Sequence, residues 1–206
     1  MAEVENRIMQ TAREMFFRYG FRSVTMDDIC RSMGISKKTF YRCYSEKNRL
    51  VEELVKNTTE GNLSDICRIT SQSENAIHEY ILMMKHMADF FLGMNPVIFY
   101  DMVKYYPEAY GVFKQYRDKQ VFQVVEQNLE RGIKEKLYRH DIPVRLLARL
   151  RIEEISMVFT PEIFNRNEYS IAQIHTELMK HFLHGIVTLR GHEAINAYLN
   201  VHETEN

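Results

Sequence analysis

Apolar residues recur every three to four positions along almost the whole chain, and little interrupts the rhythm. Val4, Ile8, Ala12, Met15, Phe16 and Tyr19 fall on one face of a helix over residues 4–19. The spacing returns at Ile77, Ile81, Met84, Met87, Ala88 and Phe91, and again at Ile171, Ile174, Leu178, Phe182 and Ile186. Only 8 Gly and 4 Pro occur in 206 residues, so turns are scarce and elements must be long. No strand-like alternation and no internal repeat appears. This pattern predicts an all-α chain.

Hydrophobic residues at 45% and charged residues at 27% are the proportions of a globular chain and exclude disorder. No apolar run approaches the ~18 residues that cross a bilayer. The first residues lack the basic and apolar segments of a signal peptide, so a cytoplasmic location is expected. Cys30, Cys43 and Cys67 are odd in number and form no CxxC pair, as free thiols in a reducing compartment would be. Charge is uneven. Residues 1–50 carry 10 Lys/Arg against 6 Asp/Glu, and residues 51–206 carry 17 against 22. A basic head on an acidic body points the head toward a polyanion.

The head is punctuated as two short helices after a longer one. Gly20 stands where a left-handed residue stops the first helix. Thr25 is a good N-cap, with Asp28 three residues on to complete a capping box. Met26, Ile29, Cys30 and Met33 supply an apolar face, Gly34 ends the helix, and Ser36 caps the next. Two short helices joined by a glycine turn are the helix-turn-helix arrangement. Lys37 and Lys38 occupy the first turn of the second helix, where the helix dipole disfavours cations. At ~100° per residue, Lys37, Lys38, Tyr41 and Arg42 share one arc and Phe40 points opposite. Phe40 would anchor the helix, leaving a groove-reading surface outward.

The run from Thr25 to Leu50 resembles the N-terminal signature of the TetR family of bacterial transcription regulators. The matching positions are Thr25, Ile29, Gly34, Ile35, Ser36, Thr39, Tyr41, Lys47 and Leu50, in one gapless register. The resemblance implies that Thr25, Ser36, Lys37, Lys38, Thr39, Tyr41 and Lys47 face DNA, and Arg42 joins them through its place on the arc. It also implies a three-helix DNA-binding domain over residues 1–50, followed over 51–206 by a helical ligand-binding and dimerisation domain. Three positions depart from the family pattern. Cys30 replaces a small residue, Tyr44 replaces a Phe and so brings a hydroxyl that needs a partner, and Cys43 replaces a residue that often touches the DNA backbone.

In the body, a helix is expected to start near Glu46, capped by Ser45, and to run toward Ile66. Ser71 and Glu74 read as a capping box for the helix of Ile77. Asn95-Pro96 and Tyr106-Pro107 each read as a helix start with Pro in the first turn. Phe113, Tyr116, Gln120, Val124 and Gln127 carry a long helix to Gly132. Asp141-Ile-Pro143 opens another, with Leu147, Leu150 and Val158 on its apolar side, and Pro161 should end or kink it. Gly191 is expected to precede a short tail helix ending near Tyr198.

By resemblance the chain is a homodimer joined through residues 143–165 and 170–190, with Leu147, Leu150, Val158, Ile174, Leu178, Phe182 and Ile186 at the interface. The family also encloses a small-molecule site among its middle helices. Met87, Phe90, Phe91, Met94, Phe99, Tyr100, Tyr110, Phe113 and Tyr116 are the candidate lining, of a type suited to an apolar or aromatic ligand or to ordinary packing. His181 and His184 lie i, i+3 with His175 two turns back, but no Cys or carboxylate cluster joins them into a metal site. The adjacent Glu153-Glu154 pair is poorly placed for acid–base work. No GxSxG, HExxH, Walker or GxGxxG pattern occurs, so neither an enzyme nor a cofactor is expected. The reading is a repressor released from a palindromic double-stranded DNA operator by a small molecule. Its rivals are a DNA-binding dimer whose body is a platform for protein partners, and a helical-bundle enzyme.

Overall fold

The computed structural model describes residues 2–160, 162–165 and 167–200. It is all-α: among the described residues no strand forms, and Tyr138 and Val187 make only an isolated antiparallel bridge. The helices are α1 (Ala2–Tyr19), α2 (Met26–Met33), α3 (Lys37–Cys43), α4 (Lys47–Gln72), α5 (Ala76–Phe91), α6 (Val97–Tyr105), α7 (Pro107–Gln115), α8 (Phe122–Lys134), α9 (Val144–Met157), α10 (Ile171–Ile186) and α11 (Leu189–Asn200). A π-helical turn, Tyr116–Val121, joins α7 to α8. No helix of the described residues is long and apolar enough to cross a membrane.

The chain forms two compact units, residues 1–61 with 93–116, and residues 62–92 with 117–206. The first therefore holds more than the three N-terminal helices. Ile8, Phe16, Phe21, Ile29, Phe40 and Leu50 share one buried cluster with Ile98, Met102, Tyr106 and Ala109 of the α6–α7 region. Phe21 meets Phe16 and Tyr106 edge-to-face, at centroid distances of 5.3 and 5.7 Å. Asn95 ties the two stretches of chain together. Its backbone N–H donates to the Phe17 carbonyl at 2.8 Å and its side-chain amide to the Arg18 carbonyl at 3.2 Å, satisfying carbonyls that the end of α1 leaves open. Its Oδ1 accepts from the Val97 N–H at 3.0 Å, and α6 starts at Val97, which leaves Pro96 at the N-cap rather than in the first turn where it was expected.

The second unit packs around Ile77, Tyr80, Ile81, Leu129, Tyr138, Ala148, Phe182 and Ile186. A polar lattice holds α5 to α8. Arg131 donates to Glu79 at 2.9 Å, to Glu135 at 2.8 Å and to the Ser73 carbonyl at 3.0 Å. The buried Tyr138 hydroxyl lies 3.0 Å from Asn128 Oδ1, and the Asn128 amide donates to the Ala76 carbonyl at 3.0 Å.

Several expected boundaries move. α4 begins at Lys47 and runs to Gln72, past Ile66, so the expected Ser71–Glu74 capping box does not form. Asn75 caps α5 instead, its Oδ1 accepting from Ile77 and His78. Gly191 lies inside α11, because the Thr188 hydroxyl accepts the Gly191 N–H at 3.2 Å and starts the helix two residues earlier. α10 carries a capping box the pattern had not indicated, Ser170 with Gln173. The Pro107 restart of α7 is present. Pro161, expected to end or kink α9, lies outside the described residues.

Gly132 is the closest approach in the second unit. A Cβ there would overlap the Tyr138 ring, which is 1% exposed and hydrogen-bonded in place. Gly132→Ala is expected to destabilise the fold by about 1–3 kcal/mol through overpacking. Urea unfolding of the two proteins checks this; equal midpoints would mean that the ring yields freely.

Candidate functional site

The head helices are posed by their caps. Thr25 Oγ1 accepts from the Asp28 N–H at 3.1 Å, and Asp28 Oδ2 accepts from the Thr25 N–H at 2.8 Å, closing the expected capping box. The Thr25 hydroxyl and then its N–H hold the Asp28 carboxyl below the usual carboxylate range, and Arg31 at 2.6 Å adds to the effect. Gly34 takes φ 65°, the left-handed region, and ends α2. Ser36 Oγ then accepts the Thr39 N–H at 3.1 Å, so α3 starts almost at once. The result is a helix-turn-helix.

Phe40 is 0% exposed and fixes α3 to the core. Tyr44 is buried beside it, and its hydroxyl finds a partner in Glu53 Oε1 at 3.2 Å. Burial and then the Glu53 charge push that hydroxyl's pKa up. On the other side Lys37, Lys38 and Arg42 are exposed and Tyr41 is 48% exposed, as the helical arc required. The two lysines are not equivalent. Lys37 Nζ lies 2.6 Å from Asp27 Oδ2, a bond that raises its pKa, while Lys38 pairs with no acid among the described residues. Asp27 thus relieves the clash between Lys37 and the dipole of its own helix. Cys43 is half-buried, its thiol 3.7 Å from the Thr39 carbonyl.

Lys47 is the exception. It turns inward, donating to the Arg22 carbonyl at 3.3 Å and lying 5.8 and 5.9 Å from the Phe16 and Tyr106 ring centroids. Burial lowers its pKa. Arg22 itself carried no sequence signal. Its N–H donates to Asp101 Oδ2 at 2.8 Å, and its guanidinium donates to the Tyr105 hydroxyl at 2.9 Å. Both partners lie some eighty positions away, beyond any local pattern.

The nine candidate ligand residues do not fall in one unit. Met94, Phe99, Tyr100, Tyr110, Phe113 and Tyr116 belong to the first, and Met87, Phe90 and Phe91 to the second. Phe99 meets Tyr110 and Phe113 edge-to-face at 6.3 and 5.6 Å, and all three pack on the buried cluster of the head. Tyr100 is 51% exposed and accepts from Lys104 at 2.7 Å. Tyr116 is buried. Phe91 meets Phe159 and His175 at 5.6 and 5.1 Å.

Of the candidate interface residues, Val158, Ile174, Phe182 and Ile186 are buried within their own chain. Phe182 stacks on Tyr80 with centroids 6.3 Å apart. Leu147 and Leu178 are half-buried. Leu150 is 49% exposed on α9, and Leu146, which the pattern did not single out, is 66% exposed. Glu154, of the Glu153-Glu154 pair, is buried against Arg151 at 2.8 Å. Among the described residues no three His, Cys, Asp or Glu side chains form a metal-binding group.

Residues 8–54 match the family model for bacterial regulatory proteins of the tetR family. The head of the chain therefore belongs to the TetR family of bacterial transcription regulators. Over 185 residues it is 23% identical to YvaF, an HTH-type transcriptional regulator of Bacillus subtilis, covering 89% of this chain and 95% of that one. It superimposes with a TM-score of 0.71 on a transcriptional regulator from Saccharomonospora viridis solved with choline, at 16% identity, covering 91% of this chain and all of that one. The Thermus thermophilus repressor FadR, solved with lauroyl-CoA, gives a TM-score of 0.55 at 16% identity, covering 89% of this chain and 95% of that one. These two solved structures share this regulator's fold.

In this TetR-family head Asp27 and Lys38 are expected to act in opposite directions. Lys38→Ala should weaken DNA binding and flatten the dependence of log affinity on log salt by about 1 for each phosphate that Lys38 neutralises. Asp27→Asn should free Lys37 and strengthen binding. Fluorescence anisotropy on duplex DNA over a salt series measures both; two variants that bind like the parent would remove α3 from the interface.

A second expectation concerns pH. Burial first, and Arg151 second, push the His175 imidazole down to about 3. The unfolded chain takes up a proton near pH 6.5 that the folded chain excludes, so stability falls as pH drops from there toward 3. The slope is roughly 1.4 kcal/mol per pH unit inside that window. His175→Gln should remove this component, as read from urea midpoints between about pH 7 and 4.5.

Proposed function

We propose that this regulator is a homodimeric repressor that leaves a palindromic operator when a small apolar or aromatic effector binds its helical body. The observation that carries the reading is the outer face of α3. A helix pinned by Phe40 presents Lys37, Lys38, Tyr41 and Arg42 outward, cations and a planar hydroxyl-bearing ring suited to phosphates and base edges. Ser36, Thr39 and Thr25 at the two caps add short polar side chains that can contact the backbone of the duplex.

A single short recognition helix contacts few base pairs, so two copies are needed. Their recognition helices must stand about 34–36 Å apart, or a multiple, to enter successive major grooves on one DNA face. The exposed Leu146 and Leu150 on α9 support a second copy of the chain as the partner that covers them.

Control by an effector is supported by the packing of Phe99, Tyr110 and Phe113 on the same cluster that holds Phe40. Any shift of those rings on effector binding would bias the pose of the head, because packed interiors shift between discrete arrangements rather than yield continuously. The choline and lauroyl-CoA complexes are those of two proteins with this fold, and small-molecule control extends to this chain by that likeness.

Footprinting on the gene's own promoter, with and without a compound library, tests the reading. Two protected half-sites about one helical turn apart, lost on addition of a compound, are expected. Protection that no compound removes would favour a body that serves as a platform for protein partners. In the same assay Phe113→Ala should still bind the operator and respond less to the compound, because the ring packs on the cluster that poses the head; a full response would mean that this ring plays no part in the release.

A further inference from the structure

The interior of the second unit holds a polar cluster that DNA binding does not use. Arg151, Glu154 and His175 are 3%, 8% and 2% exposed. Arg151 Nη1 donates to Glu154 Oε2 at 2.8 Å, and its Nη2 lies 3.3 Å from His175 Nε2. A guanidinium only donates, so Nε2 must accept and the neutral ring carries its proton on Nδ1. Among the described residues that buried Nδ1 meets no hydrogen-bond partner. Buried donors are rarely left so, and each instance calls for an explanation. The imidazole stands 5.1 Å from the Phe91 ring at an interplanar angle of 62°, and Phe91 stands 5.6 Å from Phe159. An unused donor thus borders an aromatic wall.

We propose that the His175 Nδ1–H is the anchor for an uncharged apolar or aromatic effector bearing a carbonyl oxygen, bound against Phe91 in the second unit. This rests on the effector-controlled reading above and names the chemistry of its ligand. Charge decides the class. Glu154 already neutralises Arg151, so a carboxylate would add an unpaired charge to a buried site, and a quaternary ammonium group would meet a guanidinium and a donor. A neutral carbonyl satisfies the N–H and adds no charge. A plain hydrocarbon would fill the aromatic wall and leave the donor unpaired, which is the basis of discrimination between them.

The test uses the full-length protein labelled with 15N at histidine, without DNA. Acetophenone and methyl benzoate are titrated against ethylbenzene and propylbenzene, and long-range proton–nitrogen spectra report the His175 tautomer and its Nδ1–H. The carbonyl compounds should move the Nδ1–H resonance and bind about tenfold more tightly than the hydrocarbons. His175→Phe should abolish that preference, and His175→Gln, whose amide can accept from Arg151 and donate onward, should restore part of it. Unmoved Nδ1–H in the parent protein, or a preference that survives in His175→Phe, overturns the proposal. The parent spectra decide the matter even should His175→Phe fail to fold. Operator release is measured separately, so the two readings fail apart. Carbonyl binding without release would refute effector control and leave the site standing, whereas release by compounds that leave Nδ1–H unmoved would refute the site alone.

Discussion

A helix of seven residues is far below the length at which an isolated helix persists in water, so α3 exists only because something else holds it. Phe40 is that hold. Its ring is fully buried in the cluster of α1, α2 and α4, with Tyr44 beside it and Ser36 closing the first turn. Once the inner face is fixed, the helical period of about 3.6 residues dictates that Lys37, Lys38, Tyr41 and Arg42 point outward together. The exposed basic face of α3 is therefore a by-product of core packing. Its chemistry can vary without disturbing the fold, and its pose cannot vary without disturbing Phe40.

The same cluster reaches further along the chain than the helix-turn-helix. α6 and α7 contribute Ile98, Met102, Tyr106 and Ala109 to it, and Asn95 stitches the end of α1 to the start of α6. The domain boundary expected at residue 50 is thus not a division of packing. Arg22 and Lys47 make the point at the level of single side chains. Both sit in the head, and both are organised by residues of the α6–α7 segment, Asp101, Tyr105 and Tyr106. For Lys47 the cost is a cation turned from the surface, partly offset by two aromatic faces.

The second unit carries its polarity differently. The Arg131, Glu79 and Glu135 lattice is closed: donors and acceptors match, and it locks the N-terminus of α5 against α8. The Arg151, Glu154 and His175 cluster is left with one donor over. A closed network rigidifies a core and an open one costs stability unless it has a further use. That contrast, within one unit, is what separates a structural polar network from a candidate binding group.

Periodicity and punctuation made much of the molecule legible beforehand. Helix type, the caps at Thr25 and Ser36, the stops at Gly20 and Gly34, and the opposition of Phe40 to the basic arc depend on neighbours within about four residues, where the sequence is read directly. Competing caps were harder: Ser71, Glu74 and Asn75 all stand close together, and only the continuation of α4 to Gln72 decides for Asn75. The aromatic run of residues 87–116 read as one lining and is shared between two units, because a linear stretch does not say which core claims each ring. Phe182 and Ile186 read as an interface stripe and are buried in their own chain, since an apolar face looks the same whether a partner or an adjacent helix covers it. His175, Arg151 and Glu154 meet only when α9 and α10 pack, at a separation of 24 residues that no local rule spans. The sequence by itself determined which residues are helical and which face of each helix is apolar. Tertiary packing alone decided which face meets which, because burial is set by what arrives from elsewhere in the chain.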